Sequence, residues 1–189
     1  SRVEKTSNQK AREEREKLPS PPPPSPYVAG IDASQPADVA WHENHGILMP
    51  ADPRVLSATG LDLVSVGKLE RNLARNLPTL LQGVTRQMEI GGVGFIPMRL
   101  ARTNPQLVQM VVEPDPARQA FIRHVWARNG IAEGPNLILT DAPEGLAALL
   151  ADFRPDTVLV TDPDGPIAAL HQAVALAGVR PKLYHHAVS

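Results

Sequence analysis

The sequence predicts an α/β domain built on a mostly parallel sheet with helices on both faces, and three observations predict it. Across residues 84–188, five short apolar runs alternate with four stretches of helical character, the pattern of repeated strand–helix–strand units. The runs are short and mostly apolar, as expected of strands covered on both sides. The first run leads directly into a glycine cluster, Gly91, Gly92 and Gly94, where a backbone must come close to a neighbour. Together these describe a Rossmann-like domain.

The elements follow in order. "VTRQMEI" is the first strand, and "GFIPMRLART" opens a helix beside the glycines. Pro97 falls in its first turn, where a missing N–H does no harm, and Asn104-Pro105 ends it. "LVQMVVE" is the second strand, rich in β-branched valine. "DPARQAFIRHVWARNG" is the second helix, with Ala117, Phe121 and Val125 on one side, Trp126 at the margin of that side, and Asn129-Gly130 as its stop. "NLILTD" and "TVLVTD" are the third and fourth strands, each followed by a helix, "APEGLAALLADF" and "GPIAALHQAVALAG". "PKLYHHAV" is the fifth strand, along which His185 and His186 alternate.

Upstream the texture differs. Residues 61–81 begin the domain with an amphipathic helix carrying Leu69, Leu73, Leu77, Leu80 and Leu81, interrupted or restarted at Pro78. Residues 28–60 read as an irregular extension, rich in Pro, Gly, Asp and Asn. The "HENH" within it, His42 to His45, lacks the spacing of a zinc helix and reads as loop or partner surface. Residues 1–27 form a charged arm and a polyproline linker. The arm carries six basic and four acidic side chains in residues 1–18, and six of the 20 prolines crowd into residues 19–26. Such a segment cannot bury a core face alone. It is either a solvated tail or an arm that docks on a protein partner.

Composition narrows the function. With 19 basic and 20 acidic residues, the chain lacks the broad basic face of a nucleic-acid protein. No apolar run approaches the roughly 20 residues of a membrane span. The absence of cysteine removes thiol catalysis and cysteine metal sites, and no metal site is expected. The charged N-terminus is no secretory leader, which favours cytoplasm or an organelle matrix over secretion.

In parallel sheets, ligands bind outside the carboxyl ends of the strands. Strand one ends at Glu89 and the glycines, strand two at Glu113 and Asp115, strand three at Asp141, and strand four at Asp162 and Asp164. Four strands thus deliver carboxylates to one rim. A dinucleotide fingerprint fails here: counted from Gly92 its third glycine is Pro97, and Glu89 would repel pyrophosphate. S-adenosylmethionine has no phosphate and carries a positive sulfonium and ammonium, so an acidic rim suits it.

At this point the residues resemble a family. "EIGGVGFIPMRLA", "VVEPDPARQAFIRHVWARNGI" and "DTVLVTDPDG" are together similar to S-adenosylmethionine-dependent methyltransferases of the FkbM type, over roughly residues 60–189. The resemblance implies methyl transfer to a hydroxyl oxygen. It places Glu89, Gly91, Gly92 and Gly94 along the methionine part of the cofactor, Glu113 at the ribose and Asp141 near adenine. Asp162 would lie near the transferred methyl, with Asp162 or His171 as proton acceptor.

Three features depart from the family pattern. Gly94 comes one residue early, the D-x-E-G element reads "DPDG", and the chain reaches Ser189 soon after the fifth strand. The last feature would leave that strand at a sheet edge, open to pairing with another chain. These support the alternative: a catalytically degenerate methyltransferase fold serving as a structural subunit of a larger assembly, held through its arm and C-terminal edge. Plain packing needs would also explain the glycines, a helix-surface position His171, and a core position Phe121 and Val125.

Overall fold

The structure, a computed structural model, describes residues 27–28, 31–32, 41–44, 46–51, 75–76, 78–79, 81–91, 94–161 and 166–185. The arm, most of the leucine-spaced helix, and Gly92, Asp162, Asp164 and His186 lie outside them. Of that helix, residues 75–76 and 78–79 are helical.

Two short antiparallel pairs come first: β1 (Tyr27–Val28) with β2 (Ile31–Asp32), and β3 (Trp41–Asn44) with β4 (Ile47–Pro50). The main body then runs β5 (Arg86–Ile90), α1 (Phe95–Thr103), β6 (Val108–Val112), α2 (Pro116–Arg128), β7 (Leu137–Thr140), α3 (Leu146–Phe153), β8 (Thr157–Val160), α4 (Ile167–Ala177) and β9 (Lys182–His185). Its five strands form one parallel sheet in the order β7-β6-β5-β8-β9. The Rossmann-like α/β fold is therefore the fold of this chain. Among the described residues, β9 is an edge strand of this sheet.

Helices cover both faces. Phe95 and Met98 of α1 and Phe121, Ile122, Val125 and Trp126 of α2 pack on Val111, Leu137 and Leu139. On the other face, Leu150 and Phe153 of α3 and Leu170 and Ala173 of α4 pack on Met88, Ile90, Met110, Val112, Val158 and Val160. Local chemistry sets the boundaries. Pro114 cannot continue a ladder and holds Glu113 extended, so β6 stops there. Asp115 then caps α2, its carboxylate accepting from the Arg118 N–H, with Pro116 in the first turn.

Four expectations are corrected. Residues 28–60 are not irregular throughout, and residues 42–44 of "HENH" lie in a strand rather than a loop, His45 lying outside the described residues. Residues 41–44 form β3, and the register pairs Asn44 with Ile47. Gly46, at φ +77, supplies the left-handed turn. The signal was the alternation of buried Ile47 and Met49 beyond a glycine, hidden by the polar residues of β3. Trp126 is not marginal: it is 1% exposed and part of the α2 core. Nor is β5 an apolar run. Gln87 and Glu89 alternate with Met88 and Ile90, yet all four are buried, because α1 covers the polar side.

The β3–β4 hairpin docks on the α2 end of the domain through a side chain. The Leu48 N–H donates to Asn129 Oδ1 (2.7 Å), and Asn129 Nδ2 donates back to the Leu48 carbonyl (2.9 Å) and to Val125 O (2.8 Å). One amide side chain thus acts as a strand neighbour to Leu48. Arg102 of α1 joins the same corner, donating to the Gly46 and Asn129 carbonyls. Trp41 stacks on His124 with ring centroids 5.8 Å apart.

Candidate functional site

The strand order reverses between β5 and β8. From β5 the chain passes through α1 to β6 on one side; from β8 it passes through α4 to β9 on the other. Such a switch point opens a crevice at the carboxyl ends of the strands. On the α1/α2 side, the register stacks side chains in rows across β6, β5 and β8. Gln109, Gln87 and Thr157 form one row, and Val111, Glu89 and Leu159 the next. One residue pair beyond the ladders, the Gly91 N–H donates to Val112 O, Glu113 N–H to Thr140 O and Thr161 N–H to Ile90 O. Continuing the register makes the third row Glu113, Gly91 and Thr161. Gly91, at φ +81, puts no side chain between its two polar neighbours. Gly91 follows Glu89 by two residues, so the two positions share one side of the sheet.

Glu89 is 2% exposed. The Thr161 hydroxyl donates to its Oε1 at 3.0 Å, while Oε2 is buried with no partner among the described residues. Burial pushes its carboxyl up to about 8, the Thr161 bond opposing this only in part. At neutral pH Glu89 is therefore mainly a protonated acid, offering a proton to a partner rather than a negative charge. The acidic rim does not extend to this residue.

Glu113 is 3% exposed. Burial raises its carboxyl above the usual range, opposed chiefly by the Arg118 guanidinium, whose Nη1 stands 3.5 Å from Oε1. At that length the ion pair leaves the carboxylate with unused acceptor capacity. Gln119 Nε2 donates to the Glu113 backbone carbonyl at 2.6 Å, so α2 fixes both the main chain and the side chain of the "EP" pair. Asp141 lies exposed just past β7.

Gly94 has a different partner. It opens α1 at φ +78, and its carbonyl accepts from Trp126 Nε1 at 3.0 Å. A Cβ built there would stand 2.6 Å from Trp126 Nε1 and 3.0 Å from Ile122 Cγ2. The close approach at this glycine is to the protein's own indole.

The topology thus brings Glu89, Gly91, Glu113 and Asp141 to one edge of the sheet. His171 is exposed on α4, on the opposite face from Glu89 and Glu113. Three participants were missed by sequence reasoning: Thr161, Arg118 and Trp126. Arg118 had a local signal, one turn into the helix that follows Glu113; Thr161 had none, because it meets Glu89 across 72 residues of chain. Among the described residues, no group of three or more His, Asp or Glu side chains is placed to hold a metal ion, and no helix is long and apolar enough to cross a membrane. No protein-family model matches the chain, and no curated protein matches it.

Proposed function

We propose that this chain binds S-adenosylmethionine at the carboxyl edge of β5 and β6 and transfers its methyl group to a hydroxyl oxygen, as methyltransferases of the FkbM type do. What supports the reading is the row Glu113–Gly91–Thr161 above Glu89, at the point where the strand order reverses. The residues present fit such a group: a buried carboxyl with spare acceptor capacity and a buried acid with an oxygen that has no partner among the described residues lie in neighbouring rows around Gly91, which adds no side chain. When bound, the cofactor supplies an electrophilic methyl on a sulfonium.

The chain's own residues supply placement. In this proposal Glu113 accepts hydrogen bonds from the ribose hydroxyls, and Arg118 opposes the upward shift that burial gives its carboxyl. Asp141 takes the adenine amine, and neutral Glu89 donates to the carboxylate of the methionine part. Alignment of acceptor oxygen, methyl carbon and sulfur contributes most of the rate in such transfers. Asp162 is the proton acceptor, since His171 sits on the helix of the opposite face.

One observation favours the second reading, a degenerate fold serving as a structural subunit. The tight spot at Gly94 is taken up by Trp126, so that glycine is explained without a ligand. Calorimetric titration of S-adenosylmethionine into the full chain, with Glu113→Ala as control, separates the two. The enzyme reading expects saturable binding that weakens about 10- to 100-fold in the variant, the worth of hydrogen bonds to a charged group. A folded sample that gives neither heat nor thermal stabilisation sinks it and leaves the scaffold.

A further inference from the structure

A second polar site lies at the opposite edge of the sheet, where nothing in the proposed methyl transfer reaches. The strands are four or five residues long, which at roughly 3.3 Å per residue puts the two edges about 15 Å apart. There a cavity of about 560 Å³ opens between the start of β5, β8 and β9 and the ends of α3 and α4. Its size falls within the range of small-molecule sites.

Three cations line it: Arg154, Arg180 and Lys182. None of them makes an ion pair or side-chain hydrogen bond with any described residue, whereas Arg118 and Arg123 are paired with Glu113 and Glu133. Arg86, nearby, is committed elsewhere: its Nε donates to Phe153 O at 2.7 Å and its guanidinium lies over the Phe153 ring. The one acid in the lining, Asp156, is also committed. Its Oδ2 accepts from Thr85 N–H (2.8 Å), Thr85 Oγ1 (2.9 Å) and Arg86 N–H (2.9 Å). The carboxyl ends of α3 and α4 each contribute about half a negative charge. The lining stays net positive against both.

One further feature sets this cavity apart. Arg154 closes α3 in the left-handed conformation, at φ +50, where glycine is usual; Gly178 closes α4 at φ +67 in the ordinary way. The two helix ends share one cavity, and the one that strains its backbone is the one that carries a guanidinium.

We propose that this cavity is a binding site for a small organic polyanion, a phosphate ester or a dicarboxylate, held by Arg154, Arg180 and Lys182. Guanidinium pairs grip such groups through two parallel hydrogen bonds. The test titrates inorganic pyrophosphate and, in a parallel arm, succinate into the full chain at low ionic strength, followed by amide chemical shifts. Saturable shifts centred on residues 154–157 and 180–182 are expected, weakening about three- to tenfold in Arg180→Gln and again in Arg154→Gly. The glycine variant relieves the strained cap, so loss of binding there is not loss of folding. Tighter binding of pyrophosphate assigns a phosphate ester, and tighter binding of succinate a dicarboxylate. No saturable binding of either anion, or binding unchanged in both variants, overturns the proposal.

Discussion

Replacing Gly94 by alanine asks whether the glycine loop is built for the protein or for a ligand. The added Cβ would stand 2.6 Å from Trp126 Nε1 and 3.0 Å from Ile122 Cγ2, distances at which something must move. Both neighbours are fully buried in the α2 core. The backbone at φ +78 costs an L-residue about 1 kcal/mol. Forcing a methyl group into a packed core costs about 1–3 kcal/mol, and displacing the indole from the Gly94 carbonyl costs about 1 kcal/mol. The expected loss is about 3–5 kcal/mol, a large share of the roughly 5–15 kcal/mol of a typical domain. Urea unfolding followed by tryptophan fluorescence measures it directly. The double variant with Trp126→Phe, which removes the nearest atom, should be more stable than the sum of the singles by about 1–2 kcal/mol. A loss below about 1 kcal/mol, or additivity in the double variant, would refute the packing argument. A ligand-facing role for Gly94 would then be the better account.

Other outcomes follow from the same structure. Glu89 has a raised carboxyl, about 8 when folded against an ordinary 4.5, so the folded protein holds a proton that the unfolded chain releases. Stability therefore falls as pH rises through that window, by up to about 1.4 kcal/mol per pH unit. Glu89→Gln cannot ionise and should flatten the dependence, its advantage over wild type growing from pH 5 to pH 8 in unfolding titrations; parallel pH profiles would count against the burial argument. Asn129→Ala removes three hydrogen bonds to Leu48 and Val125. It should cost about 2–4 kcal/mol and sharply raise hydrogen exchange at Leu48, with α3 and α4 unaffected. Asp156→Asn weakens the acceptor for two main-chain N–H groups and a hydroxyl; the site is exposed, so about 1 kcal/mol is expected. Hydrogen bonding to Thr85 holds the Asp156 carboxyl below its usual range. The difference from wild type should thus be present at neutral pH and vanish as pH falls through the folded value, as a melting series would register.

Much of the fold was legible locally. The order of strands and helices from residue 84 to residue 185 follows from short apolar runs, from Asp115-Pro116 and Asn129-Gly130 at the ends of α2, and from Gly178 after α4. These signals lie within a few residues of the boundaries they set. The rim positions of Glu113 and Asp141 were legible for the same reason, since each follows a strand directly. The sequence by itself thus determined the fold class and that Glu89, Glu113 and Asp141 stand at the carboxyl edge. The tertiary structure alone decided what those residues are. Glu89 is a buried neutral acid because packing around it excludes water, an effect that the Thr161 hydroxyl, just past β8, opposes only in part, and Gly94 is tight because Trp126 arrives from α2. Likewise Asn129 is a tether because Leu48, 81 residues away in the chain, lies beside it. Periodicity reports which face of an element is apolar. It carries no information about which distant side chain fills the space above that face, and that neighbour sets burial, charge and strain.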